Sequence, residues 1–241
     1  MKSEKAKNII QETRKAYNTI YDHFSQTRQN LWSEFEDFKS YFQTDDKVLD
    51  FGCGNGRFYE LIKEFNPDYY GVDLSDELLL LAKQKIPEGH FALIDENLTL
   101  PFKDNFFDKI VCLATFHHIP SQELEEKVLK EFYRVLKPNG ILILTVWDFY
   151  HGKNKKYLFR NYFSGIINFI FKSKSFLGFK DFYVPWKDNQ GQAIAERYFH
   201  AFTLKELNSL LKKVGYQVLS SQIKPHNNKK EYYNLIIIAQ K

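Results

Sequence analysis

The residues of this chain whose types and spacing could do chemistry begin at Asp50. Residues 47–57 read KVLDFGCGNGR: the apolar run of Val48, Leu49 and Phe51 passes into glycines at alternate positions, Gly52, Gly54 and Gly56, with Asn55 among them. A short apolar run closed by glycine reads as a buried strand, and glycine lets a backbone turn tightly beside a ligand where a Cβ would collide. Asp73 ends the next apolar stretch, residues 69–73, and Leu74 follows it. At the carboxyl end of a parallel strand, an acid in that place reaches ribose hydroxyls. A dinucleotide fingerprint would need a third glycine at the position of Arg57, where its helix packs on a strand. The pattern here is D-x-G-x-G-x-G instead.

Further along, Asp95 and Glu96 follow an apolar stretch at 91–94, and His117 and His118 follow another at 107–113. A histidine at the end of a strand bordering a ligand crevice can position or deprotonate an acceptor; it can equally cap a helix or satisfy a carbonyl. Arg28 lies in the phrase YDHFSQTRQNLW, residues 21–32, just ahead of the first strand, where a fixed cation suits an anionic substrate or a ligand carboxylate. Tyr21, His23 and Trp32 in the same phrase read as packing residues. Cys53 and Cys112 have neither metal-ligand spacing nor a disulfide framework around them, so no metal is expected.

Helical spacing of apolar residues predicts helices over 4–24 and 28–42 ahead of the sheet, a crossover helix over 57–65, and a leucine-rich helix capped by Ser75 that ends before Pro87. Ser121 begins another, and Lys137-Pro138-Asn139-Gly140 reads as a turn into a fifth strand, 141–147. Thr203-Leu204-Lys205-Glu206 is a capping box for a helix to Val214 that Gly215 ends, and two strands, 217–223 and 232–239, follow with a connection short enough for antiparallel pairing. Strands alternating with helices predict an α/β fold. We expect one domain over 1–241: N-terminal helices to 46, a ligand-binding core over 47–147, an inserted helical and aromatic segment over 148–202, and closing elements over 203–241.

At 241 residues and 44% hydrophobic, the chain can bury a core of its own. It has no apolar run long enough to span a bilayer, and its start, MKSEKAKN, lacks the hydrophobic middle of a secretory signal; the expectation is a cytoplasmic protein without a membrane. The formal charge is +4, unevenly placed. Residues 153–180, which begin at Lys153 and end at Lys180, hold seven basic residues and no acid, which leaves the other 213 residues at −3. Those cations alternate with Tyr157, Phe159, Tyr162, Phe163, Phe169, Phe171, Phe176 and Phe179. Lys and Arg bind phosphates, and unpaired bases stack on aromatic faces at about 1–3 kcal/mol each, a composition that suits RNA. A lid with buried aromatics and solvated lysines, or a membrane-surface helix, has the same composition.

The glycine pattern resembles motif I of the class I S-adenosylmethionine-dependent methyltransferases. That resemblance implies a seven-stranded, Rossmann-like sheet with S-adenosyl-L-methionine as cofactor and Asp50 at its amino end. It places Gly52, Gly54, Asn55 and Gly56 beneath the ligand, Asp73 and Leu74 at the ribose, and Arg28 near the carboxylate. An acid before the Leu100-Pro101-Phe102 triplet would meet the adenine; Asp95 and Glu96 both qualify, and we favour Asp95.

More of the chain, from about 17 to 223, is similar to the tRNA wobble-uridine carboxymethyl methyltransferases, on HFSQTR at 23–28, DFGCGNGR, LTLPF at 98–102, His117 and His118, VPW at 184–186 and ERYFHAF at 196–202. The family's arginine-tyrosine-tyrosine-histidine run stands here as Arg197-Tyr198-Phe199-His200, without the second tyrosine's hydroxyl. The resemblance implies methyl esterification of 5-carboxymethyluridine in tRNA, with Arg197, Tyr198, His200 and His118 positioning the substrate, tRNA held through residues 153–180, and a small activating subunit of the kind the eukaryotic members use. A small-molecule O- or C-methyltransferase with the insert as a lid is the rival enzyme reading. A non-catalytic binding module is a third, against which the intact Asp50, glycines and Asp73 argue.

Overall fold

In the computed structural model, residues 3–28, 31–170, 177–228 and 230–241 are described. Five parallel strands form the first half of the sheet: β1 (Lys47–Phe51), β2 (Asp68–Asp73), β3 (His90–Leu93), β4 (Phe107–Leu113) and β5 (Leu136–Trp147). A second, two-stranded sheet pairs β6 (Asp181–Lys187) with β7 (Ala193–His200), and the main sheet closes with β8 (Gln217–Pro225) and β9 (Tyr233–Gln240), where β9 lies antiparallel between β5 and β8. The order across the seven strands is β3-β2-β1-β4-β5-β9-β8. The chain winds outward from β1 in both directions, so a crevice opens at the carboxyl ends of β1, β2 and β4, and Asp50 and Asp73 stand at its edge.

Two apolar clusters fill the faces of this sheet. One gathers Leu49, Ile110, Leu142 and Ile237 with Phe132 and Leu211 from the helices; the other gathers Val48, Val111, Ile143 and Ile236 with Phe35, Phe38 and Phe58. The helices are α1 (Ser3–Thr27), α2 (Tyr59–Ile62), α3 (Asp76–Lys85), α4 (Gln122–Val135), α5 (Lys155–Ile170) and α6 (Leu204–Val214). Ser75, Ser121 and Thr203 cap α3, α4 and α6 as their sequences predict, each accepting a backbone N–H three residues on, and Gly215 ends α6 at φ +116°.

Four elements depart from the expectation. The second N-terminal helix is a 3-10 helix, Ser33–Tyr41, because the spacing of Trp32, Phe35 and Phe38 lets them stack on one side of a tighter turn; residues 29 and 30 of that expectation lie outside the described ones. The first crossover helix shrinks to α2 and a 3-10 turn, Lys63–Phe65. The Lys137-to-Gly140 turn is a bulge inside β5: pairing jumps from Phe107 opposite Leu136 to Lys109 opposite Ile141, with Asn139 at φ +63°. The insert is helical only in α5. Its second half is the β6–β7 hairpin, whose period-two burial in Asp181–Lys187 is a strand signal. Phe171, Lys172, Lys174 and Phe176 lie outside the described residues.

Candidate active site

The glycine turn after β1 is fixed by its own backbone and by Asp73. Gly52 and Cys53 donate their N–H groups to the Val72 carbonyl, and Gly54 donates to Asp73 Oδ2 at 2.8 Å. Asp73 Oδ1 accepts the Ser75 N–H, so this carboxylate ties the turn to the start of α3. Gly52, Gly54 and Gly56 all have positive φ, and a Cβ on Gly52 would sit 2.3 Å from the Thr115 side chain. On Gly54 it would meet only the Phe24 ring, at 3.5 Å, across the cleft. Leu74 lines the cleft beside Asp73.

Below the turn, Asp50 accepts the Tyr69 hydroxyl at 2.6 Å, and burial pushes its carboxyl up to about 7 against the pull of that hydrogen bond and of Arg57. The roof is the end of α1, built from the HFSQTR phrase. Phe24 covers Gly54, and Ser25 Oγ accepts the Asn55 side-chain N–H at 3.0 Å, leaving Asn55 Oδ1 buried without a partner. Trp186 donates to His23 Nδ1 at 2.8 Å, which joins the roof to β6. Tyr21 and Trp32 divide as expected for packing residues only in part: Trp32 lines the cleft and carries Arg57 on its face, 5.0 Å from the ring centre.

Three arginines converge here: Arg28, Arg57 and Arg197. None has a carboxylate within ion-pair distance among the described residues. Arg197 is 4% exposed and its guanidinium is enclosed by aromatic faces, 4.8 Å from Trp186, 5.3 Å from Phe199 and 5.8 Å from Tyr17. Its Nε and Arg57 Nη1 are buried without a hydrogen-bond partner. Burial, with mutual repulsion added, brings Arg57 down to about 10 and lowers Arg28. Buried donors left open in this way are sites for an anion that the protein itself does not supply.

His118 is buried, and burial takes its pKa down to about 3. Its Nδ1–H donates to the Tyr198 carbonyl at 2.6 Å, so Nε2 is an acceptor and receives the Tyr17 hydroxyl at 2.8 Å. It therefore positions Tyr17 in the cleft wall. His117 accepts the Trp147 N–H and stacks on Phe199.

Strand alternation divides the Arg197-Tyr198-Phe199-His200 run. Arg197 and Phe199 face the cleft; Tyr198 and His200 face the other way. There the Tyr198 hydroxyl donates to Asp181 Oδ1 at 2.5 Å, and His200 donates from Nδ1 to Asp181 and from Nε2 to Glu206. Asp95 also lies away from the cleft, in a separate surface pocket with Thr99 and Lys127, its two oxygens accepting the backbone and side-chain N–H groups of Asn97. The structure thus gathers Asp50, Gly52, Gly54, Asn55, Asp73, Leu74, Arg28, His118 and Arg197 at the cleft, and places Tyr198, His200 and Asp95 elsewhere; Gly56 packs on the end of α3, where a Cβ would stand 2.8 Å from Ile86. The structure adds Arg57, Tyr17 and Trp186.

A second cavity, of about 480 Å³, adjoins the first across Arg28, Trp147, Trp186 and Arg197. Tyr157, Tyr232 and Tyr233 form its outer walls.

Residues 49–144 match the family model described as a methyltransferase domain. With the strand order and glycine turn above, the chain carries a class I S-adenosylmethionine-dependent methyltransferase domain, and its cofactor is S-adenosylmethionine. The orphaned Asn55 and Arg57 atoms and the open face of Gly54 fit a zwitterionic nucleoside of that kind.

Its relatives narrow the comparison. The chain is 32% identical over 135 residues, 55% of its length, to the tRNA (carboxymethyluridine(34)-5-O)-methyltransferase of Arabidopsis thaliana, of which it covers 32%. It is 30% identical over 174 residues, 71% of its length, to the Saccharomyces cerevisiae protein of the same name, of which it covers 55%. The chain thus spans about a third of the first relative and about half of the second. Among solved structures, a SAM-dependent methyltransferase of Methanosarcina mazei superposes with a TM-score of 0.66 at 25% identity, covering 88% of this chain and 98% of that one. No described helix is long and apolar enough to cross a membrane.

Proposed function

We propose that this protein methylates the carboxylate of 5-carboxymethyluridine at the wobble position of tRNA, giving the methyl ester. The observation that carries this reading is Arg197: a buried guanidinium with no acid partner among the described residues, on the wall shared by the cofactor cleft and the second cavity. The cofactor has one carboxylate, for which Arg57 and Arg28 suffice. A further arginine calls for a second anion, and a carboxylate acceptor supplies it. The names of the relatives support the same substrate.

Bound S-adenosylmethionine supplies an electrophilic sulfonium methyl group. The chain's part is to bind, align and exclude water. Asp50 and Asn55 Oδ1 take the amino end, Arg57 and Arg28 the carboxylate, and Asp73, with Leu74 beside it, the ribose. An acceptor carboxylate is ionised at neutral pH and needs no base, which agrees with a His118 that stays neutral and serves Tyr17. Arg197 orients the acceptor, and its aromatic enclosure holds the guanidinium in place so that the reacting oxygen keeps a lone pair free. The roof of α1 keeps water from the site.

Incubation with labelled cofactor and tRNA bearing 5-carboxymethyluridine is expected to give methoxycarbonylmethyluridine, with no transfer to tRNA lacking the carboxymethyl group. Equal labelling of both would overturn the proposal, and methylation of a phenol or quinone precursor with RNA inert would replace it with a small-molecule enzyme.

A further inference from the structure

The second cavity contains a polar group that no other part of the fold uses. Asn154 is 4% exposed, lines the cavity, and its side-chain amide has no hydrogen-bond partner among the described residues. The amide keeps an accessible face on the cavity, so its donor and its acceptor are both open to a ligand there. The turn that carries it is held firmly. Gly152 adopts φ +62° with its Cα against the Glu231 carbonyl, where a Cβ would stand at 2.3 Å, and Lys153 donates its N–H to that same carbonyl at 2.7 Å. Asp148 braces the approach, accepting the Tyr150 N–H and the His151 ring. The backbone is thereby fixed so that residue 154 lines the cavity, and α5 starts immediately after it.

The surroundings define what such an amide would meet. Tyr157, Trp186 and Tyr232 provide flat apolar faces suited to a stacked base, while Arg28 and Arg197 stand on the side that opens to the cofactor cleft. An amide offers one donor and one acceptor side by side, the complement of the O4 and N3–H edge of a uracil. In a 5-substituted uridine that edge adjoins the carbon bearing the substituent. A base held by its O4/N3 edge at Asn154 can therefore send its carboxymethyl arm toward Arg197 and the methyl group.

We propose that Asn154 is a specificity-determining residue that pairs with the O4/N3 edge of the acceptor uracil, flipped out of the anticodon loop into the second cavity. This rests on the tRNA reading above. The test uses the full chain and two synthetic anticodon stem-loops, one with 5-carboxymethyluridine and one with its N3-methyl derivative, which cannot donate from N3. Wild-type protein is expected to prefer the first by about tenfold to a hundredfold in kcat/KM, the worth of one bidentate base contact. Asn154→Ala is expected to lose most of that preference, with the loss in KM for the stem-loop and the affinity for S-adenosylmethionine unchanged. Asn154→Asp, which is isosteric and keeps the turn, sets a second acceptor against O4 and is expected to lower activity on both stem-loops further. An active Asn154→Ala protein that keeps the wild-type preference would overturn the role of Asn154 and leave the tRNA reading standing. Wild-type protein inert on both stem-loops would overturn both.

Discussion

Asp50 ionises near neutrality, because burial raises its carboxyl to about 7 while the Tyr69 hydroxyl and Arg57 oppose the rise. A carboxylate that holds an ammonium group must be charged, so affinity for S-adenosylmethionine is expected to climb from pH 6 to about 7.5, below the range near 8 where the ligand's α-amino group loses its own proton. Asn at this position keeps the shape and removes the charge. Asp50→Asn is therefore expected to bind about tenfold or more weakly at pH 7.5, as befits a lost hydrogen bond between charged groups, and to show a flat profile over that range. Calorimetry at several pH values decides it, and parallel profiles for the two proteins would remove Asp50 from the ligand's amino end. Asp50, Asp73 and the glycines were legible in the sequence because a tight turn places its demands on neighbouring residues. Arg57 was less so: it stands where a dinucleotide fold would have glycine, and that exclusion was its one local signal. Tyr17 left none, and Trp186 showed only within the VPW resemblance, since both reach the cleft through the packing of α1 on the hairpin.

The β6–β7 hairpin carries Arg197 into the cleft on one face and is anchored on the other by Tyr198, His200, Asp181 and Glu206. The sequence presents Arg197 through His200 as one polar-aromatic run, inside a stretch whose composition reads as a helical insert; only strand alternation separates a cleft group from an anchor. With both ring nitrogens donating to carboxylates, His200 is raised to about 9, and Glu206 is lowered to about 2, burial opposing both shifts. The stability due to His200 is fully present below its unfolded value near 6.5 and is lost as pH rises through 9; that due to Glu206 is present above about 4.5 and is lost as pH falls through 2. Glu125, raised to about 7 by burial, loses its contribution as pH climbs to 7, so the limb between 7 and 9 belongs to His200. Thermal melts should show wild-type stability falling over that limb. His200→Gln should be less stable at pH 7 by on the order of 2 kcal/mol and nearly flat above it. An unchanged alkaline limb in the variant would assign it to another group.

Across the whole molecule, the basic excess of residues 153–180 is smaller in effect than its count suggests, because part of it is already neutralised. Lys153 pairs with Glu231 at 3.0 Å and Lys180 with Glu206 at 2.8 Å. Lys155 and Lys156, exposed at the start of α5, have no ion pair among the described residues, and Phe159, Tyr162 and Phe163 stand exposed beyond them at 67%, 53% and 56%. A lid would bury such rings on the domain; here they are exposed, on the same helix as Tyr157, which lines the second cavity. On the tRNA reading, α5 meets the acceptor's backbone with its first lysines and its unpaired bases with these rings. Each cation that displaces a counterion from phosphate steepens the salt dependence of binding by about 0.7 to 0.9 in log-log slope, so replacing Lys155 and Lys156 together with Gln should reduce the slope by about 1.4 to 1.8. Replacing Lys153 with Gln should change it by much less, since that charge is already spent on Glu231. A slope indifferent to Lys155 and Lys156 would place the RNA on another face and leave the outward aromatic helix for a different partner.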